Sequence, residues 1–411
     1  MLRIFLSMAL VATAAPLAAQ QAPVVLHAAK LLDGTGGAMT DVDVVVQGGK
    51  ITSVGPHAAT PSGARQVELG NRTLLPGLID VHVHPTWYFN RKGRLHTSRD
   101  GDTPTESMLA AAANMYAMLQ AGFTTIQSVG SPEDADLREW IATQGLPGPR
   151  LLTSLEPLTE RSGNPDTLRM LVRQHKQDGA DLIKLFASAS IRDGGKQTMT
   201  DEQLQAACGE ANALGLRTLV HAHSAESVKA ATLAGCTQIE HGVFVTQEVL
   251  DLMAQRHTYF DPQCSLVFRN YLDNRAKYEG IGNYNEVGFA SMEKAIPLAA
   301  EDIRKALATP GLKVVYGTDA VAGAHGHNAE DLVCRVQSAG ESPMHAIVAA
   351  TSLNAESLRL DKEIGTLAPG FDADIIATDG DPSSDITAVR HVSFVMKGGR
   401  IVRNDGAPPA R

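Results

Sequence analysis

Alternation of apolar and polar positions marks both ends of the chain. Val42-Asp43-Val44-Val45-Val46 and Lys50-Ile51-Thr52-Ser53-Val54 flank Gly48-Gly49, a pattern that predicts two strands joined by a tight hairpin. The far end is similar in kind. Asp374-Ile375-Ile376-Ala377 and Val392-Ser393-Phe394-Val395-Met396 lead into Lys397-Gly398-Gly399-Arg400 and Ile401-Val402. Two β-rich ends around a different middle predict one small β-sandwich domain, assembled from 24–73 plus 370–411.

The period changes across 74–369. Apolar runs fall at 74–79, 123–129, 150–155, 181–187, 217–222, 237–240, 257–261 and 313–317. Helix-period segments lie between most of them, at 105–121, 134–144, 165–178, 201–214, 225–234, 246–255 and 290–308, and two more follow at 328–338 and 342–359. Eight strand–helix repeats predict an α/β chain whose core is a (β/α)8 TIM barrel. An open doubly wound sheet would need a Gly-rich phosphate turn after its first strand, and none is there.

The first residues follow another logic. Arg3 precedes an apolar stretch from Ile4 through Ala15, with small Ala18 and Ala19 after it. This predicts a signal peptide over residues 1–20 and an exported protein, periplasmic or secreted. The run is shorter than the roughly 20 residues of a membrane span, so stable membrane insertion is not expected. With 36 Lys+Arg against 45 Asp+Glu the 411-residue chain carries a net charge of −9 and no basic run, which argues against nucleic acid and anionic lipid. Cys208, Cys236, Cys264 and Cys334 lie far apart without a C-x-x-C pair. They are expected as buried free thiols, one disulfide being the alternative.

The chemistry sits where barrel strands should end. Strand 1 runs into Asp80-Val81-His82-Val83-His84-Pro85, whose i, i+2 spacing puts both imidazoles on one face, able to share an ion. Lys184 interrupts the apolar Leu182-Ile183-Lys184-Leu185-Phe186, a costly place for a cation unless it is paired or modified. His221-Ala222-His223, Glu240-His241-Gly242 and Gly317-Thr318-Asp319-Ala320 close three further strands. Each is weak alone. Five at one level are a site.

The whole arrangement resembles the amidohydrolase superfamily, in particular its two-metal members. Leu75-Pro76-Gly77-Leu78-Ile79-Asp80-Val81-His82-Val83-His84 is similar to the family's opening motif, and Ile364 to Asp374 to its return into the β-domain. The nearest likeness is to Xaa-Pro-dipeptidase-like and ochratoxin-hydrolysing amidohydrolases. It is carried by Ile183–Ser188, Val220–Glu226, Tyr278–Tyr284 and Gly317–Gly326. The resemblance implies two divalent metal ions, Zn²⁺ best suiting the donors. His82 and His84 would hold the more buried ion and His221 and His241 the other. Lys184, N-carboxylated, would bridge both ions, and Asp319 would complete the first site. It further implies attack by a metal-bridging hydroxide on the amide of an N-acyl amino acid, dipeptide or ochratoxin-like substrate, with Asp319 as the catalytic proton carrier. A homo-oligomer, an octamer being one form, is also implied.

Further residues are candidates for holding substrate. His223 qualifies if the strand end twists it inward, and His325 lies just beyond Asp319. Tyr88 stands in a long loop over 86–104, and Arg269 and Tyr271 in another over 262–289. Cations and aromatics over a metal site suit a small substrate with a free carboxylate. A cyclic amidohydrolase of the imidazolonepropionase or dihydroorotase type, or a lactonase, is the alternative on the same residues. A non-catalytic metal- or carbohydrate-binding protein would have no use for Asp319 beside a full ligand set.

Overall fold

The computed structural model describes residues 22–406; the expected leader over 1–20 lies outside them. The two ends of the chain meet in one sheet. Its strands are β1 (Val24–Leu32), β2 (Ala38–Gln47), β3 (Lys50–Gly55), β4 (Arg65–Glu68) and β5 (Thr73–Pro76), joined from the far end by Ile375–Thr378, Val392–Lys397 and Arg400–Asn404. The C-terminal strand Ile375–Thr378 pairs antiparallel with β5, Ile375 opposite Pro76, and so stitches the ends together. Both Gly-Gly turns form as the pattern required, and Gly49 and Gly399 are brought together as the sheet curls. The two ends form one continuous eight-stranded sheet, where the sequence pattern led to a sandwich.

The expected strand 74–79 is two strands. Thr73–Pro76 ends in the terminal sheet, and β6 (Leu78–Val83) opens the parallel set after Gly77. A side chain at Gly77 would meet Thr124 at 2.0 Å, so glycine marks the passage between the two sheets. The shift carries His82 into β6 itself.

β6 pairs in parallel with β7 (Phe123–Ser128), and β7 with β8 (Arg150–Thr153). A second parallel sheet holds β9 (Leu182–Phe186), β10 (Arg217–Ser224), β11 (Gln238–Phe244) and β12 (Tyr259–Asp261). Single bridges join the sheets at both seams. Leu158 bridges Leu185, and the run 314–320 reaches β12 through Phe260–Val314 and β6 through Val83–Ala320. The eighth expected strand is thus an extended run bonded to both neighbours, without a ladder of its own.

Helices alternate with the parallel strands: α1 (Pro104–Gln120), α2 (Asp134–Glu139), α3 (Pro165–Gln177), α4 (Asp201–Ala213), α5 (Ala225–Leu233) and α6 (Gln247–Gln255). Their starts are written locally. Thr103 and Glu106 form a capping box on α1, as do Thr200 and Gln203 on α4. The segment expected as a loop, 262–289, is largely helical: α7 (Leu266–Asp273), α8 (Arg275–Tyr278) and the start of α9 (Glu286–Ala308). Val267, Phe268 and Tyr271 bury one face of α7 against Tyr278, Tyr284 and Phe289, which holds the segment down. α10 (Glu330–Gln337) follows the 314–320 run.

The cysteines correct the sequence reading. Cys208 pairs with Cys236 and Cys264 with Cys334, leaving no free thiol among the described residues. Separations of 28 and 70 residues carry no spacing signal. The fold brings the Cα atoms to 5.1 and 5.9 Å, the separation a disulfide needs.

Candidate active site

The C-terminal ends of the parallel strands converge on a cavity of about 130 Å³ lined by His82, His84, Lys184, His221, His223, His241 and Asp319. Two sets of donor atoms form within it. His82, His84 and Asp319 make one, and His221, His223 and His241 the other; in each, the candidate ligand atoms lie within 4.8 Å of one another. Asp319 Oδ1 is 3.4 Å from His82 Nε2 and 3.1 Å from His84 Nε2. The rings of His82 and His241, one from each set, are centred 5.2 Å apart.

Local sequence explains how these groups are held. His82 Nδ1 pairs with Glu240 Oε2 at 2.5 Å, which turns Nε2 toward Asp319. Asp80 accepts from the His82 and Thr318 amides at 3.1 Å, from Thr318 Oγ1 at 2.6 Å and from Asn328 at 2.7 Å, locking β6 to the 314–320 run. Gly317 permits that approach, since a side chain there would fall 2.1 Å from Asp261 Oδ2 and 2.8 Å from His82 Cβ. His241 and Asp319 both adopt positive φ, at 70° and 54°, a strained choice for residues other than glycine that recurs at functional sites.

The electrostatics suit metal ligation. Burial, reinforced by neighbouring positive charge, holds His82, His221 and His241 well below the usual imidazole range, and His223 at about 3. They are neutral imidazoles, the form that binds metal. Lys184 is wholly buried, and its Nζ has no hydrogen-bond partner. Burial pushes its ammonium below the ordinary lysine range, although Glu240, Asp319 and Asp261 pull the other way. Glu240 is raised to about 7 by burial, and Asp261 behind it is raised too.

No twist is needed to bring His223 in. The i, i+2 rule that pairs His82 with His84 also pairs His221 with His223, whose rings are 4.7 Å apart. Tyr271 lines the cavity as expected. The other three substrate candidates do not. Tyr88 turns its hydroxyl to Asp102 and Ser107, because those partners offer the buried phenol hydrogen bonds. Arg269 faces a separate surface cavity from the far side of α7. His325 is half-buried, with Nε2 3.0 Å from the carbonyl of His84, where it supports a candidate ligand from outside the cavity.

Arg192 was missed by sequence reasoning. It sits in the loop after β9, lines the cavity, and stacks over Tyr284 at 4.1 Å and Tyr271 at 5.5 Å. Its Nε donates to Asn283 at 2.7 Å. Burial opposes its charge, but its surroundings, with Tyr284, Tyr271 and Asp319 among them, more than offset that, and the guanidinium is cationic. Its position after a strand end, before Gly194-Gly195, was the available signal. Trp87, Phe186 and Phe268 add apolar wall.

Comparison with known proteins gives the arrangement its context. The amidohydrolase family model matches residues 73–402. The chain belongs to the amidohydrolase family. It is a hydrolytic enzyme acting on amide bonds. This amidohydrolase is 24% identical to the ochratoxinase of Aspergillus niger, over 94% of this chain and 88% of that one. Among solved structures, a Xaa-Pro dipeptidase with methionine bound in its active site superposes with a TM-score of 0.82 at 28% identity, covering 93% of this chain and 100% of that one. The A. niger ochratoxinase structure shares the fold with a TM-score of 0.78 at 21% identity, over 94% and 97% of the two chains.

Proposed function

We propose that this amidohydrolase uses two divalent metal ions to release an amino acid with a free carboxylate from a dipeptide or N-acyl amino acid. The observation that carries the reading is Lys184, a wholly buried amine without a hydrogen-bond partner among the donor atoms of both sets. In this reading the parallel strands make a (β/α)8 barrel, and the curled terminal sheet is its small β-sandwich companion. His82, His84 and Asp319 would hold one ion and His221 and His241 the other, with Lys184 in the same cavity beside both sets. The donors fit: neutral imidazoles and a carboxylate suit Zn²⁺. When bound, such ions acidify a water and polarise a carbonyl.

The chain's own groups supply the rest. Burial lowers the Lys184 pKa and so favours its nucleophilic amine form. That amine adds to carbon dioxide: an N–C bond forms, one C=O π bond opens to give the carboxylate, and the N–H proton passes to water. The product is an anion, which removes the difficulty of a buried cation. Asp319 takes a proton from the attacking water and hands it to the nitrogen that leaves, as base and then acid. Arg192 and Tyr271 stand in the same cavity and orient the substrate carboxylate. Methionine bound in the structurally similar dipeptidase supports an amino acid as leaving group. The two disulfides support export, since such bonds persist in oxidising compartments.

The experiment is a panel of dipeptides, N-acyl amino acids, cyclic amides and lactones, assayed with and without a chelator, alongside metal content per chain. Chelator-sensitive release of an amino acid from linear amides, with two ions bound, is expected. Turnover confined to cyclic amides or lactones would overturn the reading.

A further inference from the structure

Trp87 lines two cavities. One is the metal-site cavity of about 130 Å³; the other, of about 280 Å³, lies between the loop after β6, α1 and the loop after β7. Neither alone reaches the roughly 300–1,000 Å³ usual for a pocket holding a whole small molecule, and joined they fall within it. The partition is fixed to the chemistry. Trp87 lies 4.9 Å from the His84 ring, centroid to centroid, and its amide donates to the His84 carbonyl at 3.1 Å. Asn114 of α1 donates to the Trp87 carbonyl at 3.0 Å and holds the loop in place.

The two cavities differ in charge. The metal-site cavity contains Arg192, whereas no Lys or Arg lines the second. Its walls are Trp87, Leu95 and Met108, with serine and threonine hydroxyls between them and Glu133 at the edge. A stacked Tyr88–His96 pair, ring centroids 4.6 Å apart, closes one side. Such a space accepts a bulky, flat, uncharged group with a few hydrogen-bonding atoms, and it repels a carboxylate.

We infer that the second cavity is the acyl subsite of the amide-hydrolysing centre, and that Trp87 separates it from the carboxylate end of the substrate. The inference rests on the amide-hydrolysis reading above. It adds an orientation, with the carboxylate toward Arg192 and the acyl group behind Trp87. In that orientation the second cavity seats the acyl group, and its lining suits a large, uncharged, aromatic one.

The test fills the second cavity from α1. Ser107→Phe projects a ring into it and removes one of the two partners of the Tyr88 hydroxyl; Met108→Phe is the second variant should the first fail to fold. Two readouts are used. The first is the ratio of kcat/KM for the N-(1-naphthoyl) and N-acetyl derivatives of the amino acid released fastest in the panel. The second is quenching of Trp87 fluorescence by 1-naphthamide in a Trp140→Phe background, Trp140 being exposed and the other of the two tryptophans. A fall of at least tenfold in the ratio, with loss of saturable quenching, is expected. An unchanged ratio and unchanged quenching in the filled variants overturn the subsite even where the enzyme hydrolyses both amides, and so does wild-type protein that neither cleaves the naphthoyl amide nor binds naphthamide. Naphthamide binding that the filled variants abolish, in protein that cleaves neither amide, defeats the amide reading and leaves the subsite standing.

Discussion

Two wholly buried cationic side chains, Arg335 and Lys184, are treated in opposite ways. Arg335 of α10, 1% exposed, donates through Nε and Nη2 to Glu341 at 2.6 and 3.1 Å and through Nη1 to the Val315 carbonyl at 2.7 Å. Burial opposes its charge, and the Glu341 carboxylate more than restores it. Lys184, 0% exposed, has no hydrogen-bond partner, and burial lowers its pKa. The fold answers the same physical cost with its own groups in one region and leaves it unanswered in the other. A buried charge that the polypeptide satisfies is structural; one it leaves bare is aimed at something from outside the chain.

Removing the bare cation should have the largest effect on chemistry and almost none on folding. Lys184→Ala is expected to lower kcat/KM by of order 10⁴-fold, about 5 kcal/mol of transition-state stabilisation, with loss of bound metal. A short carboxylic acid added to the assay should restore part of the activity. The melting temperature of metal-free Lys184→Met should equal or exceed that of the metal-free parent. A large drop there would erase the distinction between the two cations. Asp319→Asn comes next, with a fall of about 10²–10⁴ in kcat and metal partly retained; near-normal turnover would remove Asp319 from the proton path.

The satisfied cation should behave in reverse. Arg335→Met leaves the buried Glu341 with His345 as its one remaining side-chain partner and is expected to lower unfolding free energy by about 3 kcal/mol, while the molecules still folded keep their kcat. Arg335→Met combined with Glu341→Leu should recover most of that loss, because neither charge then remains buried alone. Denaturant titration beside activity measurement separates these outcomes. A double variant as unstable as the single one would mean that packing, and not the stranded carboxylate, sets the cost.

The same contrast explains how much of the molecule was legible in the sequence. His82, His84, Lys184, His221, His241 and Asp319 could be picked out because each interrupts or ends an apolar run and five such strand ends fall at one level, a coincidence that no single bland explanation covers. The parallel strands were legible for the same reason, their burial leaving nearly continuous apolar stretches. Arg192 had no such mark. A loop arginine before two glycines looks like a solvated residue until the folded positions of Tyr271 and Tyr284 are known. Arg335 and Glu341 were equally silent, six residues apart with nothing local to show that both are buried. The cysteine pairs and the helix within 262–289 depend on long-range packing in the same way. Arg269 misled because residue type suggested a place in the metal-site cavity while its position on α7 turned it to another one, and Tyr88 lines the neighbouring cavity instead.

A third buried charge lies between the two extremes and should give the smallest, most easily graded effect. Asp302 of α9 is 3% exposed; its Oδ1 accepts from Lys305 at 3.2 Å, while its Oδ2 has no partner. Burial raises its pKa to about 6, against a lowering by Lys305. The unfolded chain releases that proton near pH 4, so between about pH 4 and 6 the folded state holds a proton that the unfolded state has lost. Stability from this group therefore falls as pH rises through that window and is level above it. Asp302→Asn removes the titration while keeping the shape. It should raise unfolding free energy by about 3 kcal/mol at pH 8 and leave it nearly unchanged at pH 4, as read by urea unfolding at both values. Equal effects at the two pH values would show that Lys305 satisfies Asp302 as fully as Glu341 satisfies Arg335. Half a partner would then be enough to make a buried charge structural, and Lys184 would stand alone.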